Sequence, residues 1–505
     1  MNFLDRTISF FSPKAALNRV ANRVKLNFID KQNRRFEGAA EGRRHDGWKG
    51  RGNPSFNQTI NEDLQNLVSR SRILSLNNPY ARRVPNTIAN SVVGTGIIPS
   101  PILTKLSNTG KETAYVNDAD LKKVKDAWIE WAEKLTCDYD GDFNFYGLQW
   151  LAMKTVIMSG EILAIRKRVK SDVNRFGIQI KLLEGDYIDR TKHTFYKPGQ
   201  PYDYYGIRFD SNLKRIGYWI YDCHPSEGHA TSSFVQIEDI IHVLDVERVG
   251  QTRGFPAAAA TILKQRDLDD YEDAELLGKK TAACMPIFVT NGDPEGSAGA
   301  SGQSDIEYIE PGLVNYLQPG ETVTFATPPA STGFSDFVKT QQRAIANGYG
   351  VTYEQFTGDL SNVNFSSARM GWLESQRQVD SWQYLMLIPK FCDKAFKWFA
   401  DAVKIADSFA PDIVIRATWT APRRLMIDPV KETNAKRAAM RAGLQSFSET
   451  VRQDGYNPED VINEMKADQE KFIAAGLMPD WTPFFEYLAQ QKNQKKDPPG
   501  DLKKD

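Results

Sequence analysis

The chain has 505 residues, 41 % of them hydrophobic and 25 % charged, a composition that fits folded protein with two or three cores. Lys and Arg number 64 and so do Asp and Glu, so the net charge is zero. That balance speaks against a protein that simply coats nucleic acid, and any contact with DNA has to be local. The four scattered cysteines, Cys137, Cys223, Cys284 and Cys392, fit neither a disulfide framework nor a zinc module and point to a reducing compartment. No apolar run reaches the roughly 20 residues that span a bilayer. Asp5 and Arg6 interrupt the apolar start MNFLDRTISFF, so the expectation is a product made in the cytoplasm, without a secretion signal or membrane partner.

In chain order, residues 1–54 form a basic arm in which Arg34, Arg35, Arg43, Arg44, Lys49 and Arg51 outnumber their acidic neighbours. Such an arm is either a solvated tail or a grip on a neighbouring subunit or nucleic acid. Helical spacing begins at 61–73 (Leu64, Leu67, Val68, Ile73). It continues at 80–93, interrupted by Pro85, and at 118–135 through Val124, Trp128 and Trp131. Phe145–Ser159 reads as a buried helix, with Leu148, Leu151, Ala152, Thr155 and Val156 on one face and Gly160 closing it. Residues 161–169 alternate as a strand, Ile162, Ala164 and Arg166 opposite Leu163, Ile165 and Lys167.

Between 178 and 244 the text is short β-rich runs: IQIKLLEG, YYGIRF, IGYWIYD and IIHVLDV. From Ala257 it changes to a stretch with no proline, and no glycine before Gly278, which predicts one helix over 257–283, about 38 Å long at 1.5 Å per residue. Strands are expected at IFVT and around Tyr308, Leu317 and Val323, with GDPEGSAGASGQSD between them as a flexible surface loop. A helix at 333–347 precedes a loop, GYGVTYEQFTGDLSNVNF, poor in helix formers. Ser366 or Ser367 is the expected cap of a third long helix running to about 400. One strand, IVIRATW, and helices near 428–445, 447–453, 458–475 and 481–490 follow, then a charged tail. There is no internal repeat, and the fold class is α+β.

Familiar catalytic constellations are missing from the sequence. Gly94-Thr95-Gly96 lacks the rest of a P-loop. Asp138, Asp140 and Asp142 have the 1-3-5 spacing of a calcium loop, but Phe143 stands where the turn needs Gly and Gln149 where a bidentate Glu is needed, so a helix-entry turn is expected. Cys223, His224, His229 and His242 match no zinc spacing and read as surface and edge residues. There is no Gly-x-Ser-x-Gly elbow, and Ser297 and Ser301 lie in the flexible loop, where no base could be held against them. The expectation is therefore no catalytic residue, no metal and no cofactor. The alternative is a soluble metal-dependent nuclease whose carboxylates converge from several elements. A membrane-surface role for the arm lacks a convincing basic amphipathic helix.

The informative pattern is an ordered series: long helix (257–283), small β segment, returning helix (333–347), polar loop, long helix. The first helix carries Asp267, Asp269, Asp270, Glu272, Asp273 and Glu275 within about two and a half turns. Such a run is either a solvated face or the lining of a hole. Negative charge facing phosphates releases no counterions, so DNA would slide past it without adhering.

Four blocks in this order resemble the portal proteins of lambda-type tailed phages. They are RSRILSLNNPYARRVPNTIANSVVGTGIIPSP (70–101), LQWLAMKTVIMSGEILAIRKR (148–168), RGFPAAAATILKQRDLDDYEDAELLGKKTAAC (253–284) and PGETVTFATPPASTGFSDFVKTQQRAIANGYGVTYEQFTGDLSNVNFSSARMGWLE (319–374). The resemblance covers roughly residues 55–430 and is weaker over the arm and the last 75 residues. It implies a non-enzymatic dodecameric ring at one capsid vertex of the virion. Double-stranded DNA would pass through its channel in packaging and ejection. The implied partners are the terminase large subunit, later a head–tail adaptor, and the major capsid and scaffolding proteins. The chain is too long to be an adaptor itself.

The implied parts are a basic arm (1–54), an α/β wing (55–256), a first stem helix (257–283), a clip (284–332) and a second stem helix (333–348). A tunnel loop (349–366), a tunnel helix with wing return (367–427), a helical crown (428–490) and a charged tail (491–505) complete the map. Asn362, Asn364, Ser366, Ser367 and Arg369 are then expected at or near the narrowest point of the channel; the alternative for Asn364 to Ser367 is the cap of the helix that follows, and for Arg369 an ion pair with carboxylates between subunits. The six acids of 267–275 line the stem in the same frame.

Overall fold

The computed structural model describes residues 55–107, 111–115, 117–283, 287–291, 321–325, 333–361, 363–423 and 428–477. The chain divides into two units, Met1–Thr59 and Ile60–Asp505, and the basic arm 1–54 lies outside the described residues. The second unit holds two hydrophobic cores, one mainly helical and one between sheets.

Helices α1 (Phe56–Asn77) and α2 (Pro79–Val92) meet at Asn78, whose side chain accepts from the Ala81 amide at 2.8 Å and caps α2. Pro79 sits in the first turn, where a missing N–H leaves nothing unpaired, and the helix runs on through Pro85. Strands β1 (Ile98–Leu106) and β2 (Glu112–Ala114) lead to α3 (Asp118–Ala132), capped by Asn117. Helix α4 (Phe145–Ser159) starts at Asn144 and stops at Gly160, φ +94°, as its sequence predicts. Trp128, Trp131, Phe145, Phe396 and Phe399 pack edge to face and tilted, and Phe391 stacks on Phe145, with neighbouring centroids 4.9–5.9 Å apart, at the centre of the main core.

Strand β3 (Glu161–Arg168) lies between β4 (Ile178–Glu184) and β9 (Ile240–Leu244), antiparallel to both. Both of its faces are buried. Ile162 and Ala164 join the helical core, while Leu163 and Ile165 join the second core with Leu183, Ile207, Phe209, Tyr218 and Ile220. That second core is roofed by the meander β5 (Tyr202–Tyr204), β6 (Ile207–Phe209), β7 (Arg215–Tyr221) and β8 (Ser232–Gln236). Antiparallel strands with helices packed to one side make the chain α+β.

The expected single helix 257–283 is two elements. Ala257–Ala260 is a 3-10 turn, and α5 runs from Ile262 to Ala283. Thr261 breaks the run because its hydroxyl donates to the Ala258 carbonyl at 3.0 Å, competing with the backbone ladder. Strands β10 (Ile287–Asn291) and β11 (Glu321–Phe325) pair antiparallel, Ile287 opposite Phe325. The expected strands at Tyr308 and Leu317 and the Gly/Ser-rich loop lie outside the described residues.

Helix α6 (Phe334–Tyr349) follows, then α7 (Tyr353–Thr357) inside the stretch expected to be loop. Thr352 and Gln355 form a reciprocal capping box that starts α7. Helix α8 (Phe365–Ser381) is capped by Asn364 and not by Ser366 or Ser367: the Asn364 side chain accepts from the Ser367 amide at 2.8 Å. It passes into a π-helical stretch, Trp382–Cys392, and then α9 (Asp393–Ala406). Pro389 lacks the N–H of a regular ladder, and the wider turns accommodate it. Strand β12 (Ile413–Thr420) returns along β1, Ile98 opposite Thr420. Helices α10 (Pro429–Arg441), α11 (Phe447–Gln453) and α12 (Pro458–Ala474) end the described chain, and the expected helix 481–490 lies beyond it.

Candidate functional site

The acidic helix, its partner and the polar loop form one connected assembly. Helix α5 packs on α6 through Tyr271, whose ring lies 5.7 Å from Phe334 and 5.0 Å from Phe337. At the other end, buried Gln265 donates to Thr261 at 2.9 Å and to the Tyr349 hydroxyl at 3.1 Å. Close approach there requires Gly348, because a Cβ on it would sit 2.1 Å from Thr261 Cγ2. Beyond α6, buried Phe356 of α7 stacks on Tyr80 of α2 at 5.4 Å and lies 6.2 Å from Tyr349. Arg83 donates to the Gln355 carbonyl at 3.1 Å, and the Gln355 side chain donates to Ser375 of α8 at 2.8 Å. Thus α7 ties the head of the polar loop to α2 and α8.

The six acids of α5 divide between two settings. Asp267, Asp270 and Asp273 are exposed, while Asp269, Glu272 and Glu275 are half-buried. Asp269 accepts from the side chain of Asn78 at 2.6 Å, Asp270 faces Arg266 at 3.9 Å, and Glu275 faces Lys279 at 3.5 Å. Burial, and then repulsion from Asp273 and Asp270, raises the Asp269 carboxyl above its ordinary range against the pull of the Asn78 bond. Burial and the charges of Asp269 and Asp273 likewise raise Glu272.

Of the loop residues, Asn362 lies outside the described residues. Asn364 and Ser367 form the cap of α8, the Ser367 hydroxyl also donating to the Asn364 carbonyl at 3.1 Å. Ser366 is exposed on the first turn of α8 and Arg369 on the second.

The expected helix-entry turn at the aspartates is present. Buried Asp138 accepts from the amides of Asp140 (3.2 Å), Asp142 (3.0 Å) and Phe143 (3.1 Å), while Gln149 brackets the Ile97 backbone with bonds of 2.8 and 3.0 Å. Cys137 and Cys392 are buried thiols, and burial pushes Cys137 up to about 12. Among the described residues, Glu184, Asp186 and His224 bring three potential metal ligands together. Arg72 bridges the two carboxylates, at 3.2 Å from Glu184 and 2.5 Å from Asp186, so a cation there would have to displace a guanidinium.

His242 lies on the edge strand β9, but the expectation that it is a surface residue is corrected by the structure. It is buried opposite Leu163 in the three-stranded sheet, inside a polar cluster that the sequence did not reveal. Its Nε2 lies 3.0 Å from a Glu161 oxygen and its Nδ1 lies 3.2 Å from the Tyr218 hydroxyl. The neutral tautomer that donates to Glu161 and accepts from Tyr218 satisfies both contacts. Arg253 donates to the other Glu161 oxygen through Nε at 2.7 Å, and the Gly254 amide donates at 2.7 Å. That bond depends on close backbone approach: a Cβ on Gly160 would come 2.3 Å from the Phe255 backbone. Burial alone would raise the Glu161 carboxyl, but Arg253 and His242 hold it well below the usual carboxylate range. Burial lowers His242 despite its carboxylate partner, keeping the ring neutral. The legible trace of this cluster was a lone Glu heading the apolar strand EILAI.

The chain is 26 % identical over 468 residues to a probable portal protein of Halomonas phage phiHAP-1, covering 88 % of each sequence. It is 22 % identical over 411 residues to portal protein B of Escherichia phage lambda, covering 71 % of this chain and 75 % of that one. A subunit from the neck of a native gene transfer agent particle computed with C12 symmetry aligns with 87 % of this chain and 99 % of its own, at 14 % identity and a TM-score of 0.43. Residues 41–383 match the sequence model of phage portal proteins of the lambda family, and the chain belongs to that family, the portal proteins of the phage head–tail connector.

Proposed function

We propose that the chain closes into a ring of twelve copies at one vertex of the capsid. Double-stranded DNA is packaged and later ejected through the centre of this ring. In this reading α5 and α6 are the stem, the β10–β11 region is the clip, and residues 349–366 are the tunnel loop. The α/β body is the wing and α10–α12 belong to the crown. The clip is the docking platform, first for the terminase large subunit and then for a head–tail adaptor, while the wing and crown face the major capsid and scaffolding proteins. Since the sequence carries no P-loop, ATP hydrolysis is assigned to the separate motor chain.

The observation that carries this reading is the set of large apolar side chains that one chain leaves bare on these helices. Leu263 and Leu276 of α5 are 69 % and 51 % exposed, and Met370 and Leu373 of α8 are 69 % and 51 % exposed. Bare apolar side chains on separate helices suit a head-to-tail contact, and such contacts close into rings when the rotation between copies permits. The test is the mass and symmetry of the purified protein, by light scattering and electron-microscope class averages. A ring of about twelve subunits with a hole wide enough for duplex DNA supports the reading. A stable monomer well above micromolar concentration overturns it and returns attention to a metal-dependent nuclease.

A further inference from the structure

Away from the stem and loop, a cavity of about 190 Å³ opens between α1, the Gly185–Tyr187 turn and β7, with Arg72, Glu161, Asp186, Arg190, Tyr221 and Arg253 in its wall. We propose that this cavity binds a tetrahedral oxyanion of the phosphate or sulfate type, gripped by Arg190 and completed by Arg253 and Arg72.

Three observations converge on an anion. First, the carboxylates in the wall are already engaged. Glu161 is saturated by Arg253, Gly254 and His242, and Asp186 accepts from Arg72 at 2.5 Å. Second, Arg190 has no carboxylate partner among the described residues; its guanidinium donates to the backbone carbonyl of Asn61. Burial, and then the nearby charge of Arg253, lowers the Arg190 pKa against the weaker pull of Tyr205, Glu161 and Asp186. Third, Nη1 of Arg253, a residue of the cavity wall only 4 % exposed, is buried without a hydrogen-bond partner. Unpaired buried donors are rare and ask for an occupant.

Water would satisfy the free N–H, whereas an oxyanion would also balance the charge of Arg190, the one guanidinium of the three that pairs with no carboxylate among the described residues. A metal cation would add charge of the wrong sign. The size of the cavity suits a free ion and excludes the backbone of a duplex. Bound there, the ion would clamp α1, through Arg72 and the Asn61 carbonyl, to the β body that carries Arg190 and Arg253.

The test uses the full chain, exchanged into chloride buffer and titrated with inorganic phosphate at constant ionic strength, read by calorimetry and by thermal melting. The expected result is saturable binding of one ion per chain and a melting temperature that rises with phosphate and not with matched chloride. Arg190→Gln should weaken the phosphate affinity roughly tenfold, the loss of one charge-assisted contact. Arg72→Gln should weaken it too, and serves if the first variant folds poorly. No saturable binding beyond the chloride control overturns the proposal. So does a folded Arg190→Gln protein that binds phosphate as the wild type does.

Discussion

Glu161 is the residue that most constrains its surroundings. A carboxylate at the head of a strand buried on both faces persists because every group pointed at it is a donor: Arg253, the Gly254 amide and neutral His242. The pH dependence follows from the direction of the two shifts. His242 folds with its pKa below the ordinary 6.5, so below that value the unfolded chain binds the proton better. Stability is therefore full above about pH 6.5 and declines as the pH falls. Glu161 is depressed from 4.5, so its own contribution is present above that value and disappears in strong acid, as the pH falls through its folded pKa. His242→Gln keeps an amide donor for Glu161 and removes the titrating ring. Its melting temperature should fall less steeply than wild type between pH 7 and about 5.5. Melting curves at several pH values decide the matter, and an unchanged slope in the variant would assign the first acid step to another group.

Among the elements, the junction of α5 and α6 is set by a single missing methyl group. Gly348 lets α6 lie against Thr261, and Gly348→Ala should cost about 1–3 kcal/mol by overpacking. Thr261→Ser removes the clashing methyl while its hydroxyl can still donate to Ala258 and accept from Gln265. The pair of substitutions should therefore recover most of the loss, a coupling measurable by urea denaturation of the four proteins. Additive costs would show that the clash is absorbed elsewhere. The same junction shows what was legible in the sequence and why the rest was not. Periodicity marked α2, α3 and α4 because an apolar stripe on a helix is a local signal. The alanines at 257–260 gave no hint of their 3-10 turn, since the break depends on what the Thr261 hydroxyl does. Helix α7 was missed because five residues cannot show a period, and tertiary burial of Phe356 sustains it; its capping box, Thr352 with Gln355, was readable. That Asn364–Ser367 caps α8 was readable, but not that the cap is Asn364 and not Ser366 or Ser367, because serine and asparagine are equally good candidates on paper. The burial of His242 opposite Leu163 is a matter of register between distant strands, which no local pattern encodes.

At the scale of the whole molecule, a ring multiplies every change in the loop by its number of subunits, which makes the proposed channel position testable with single substitutions. The difficulty is that Asn364 has two candidate roles, because it caps α8 whatever else it faces. Replacing it with a bulky residue would remove a cap at a cost of about 1 kcal/mol and confound the two. Ser366 avoids this, being exposed and outside the Asn364–Ser367 pair. Ser366→Trp should leave the melting temperature and ring mass as in wild type while lowering the DNA packaged per particle, since a ring of bulky side chains narrows any constriction formed there. Asn364→Asp is the complementary variant, because aspartate caps as well as asparagine and favours the helix N-terminus. It should fold normally yet place a negative charge from each subunit beside the DNA path. The measurement is packaged DNA length in particles assembled with each variant. Reduced packaging with intact rings in both would place the loop at the DNA path, one variant acting through size and the other through charge. Wild-type packaging in both would mean that 364–367 serves only to start α8, and the constriction would then have to be sought along the acidic face of α5.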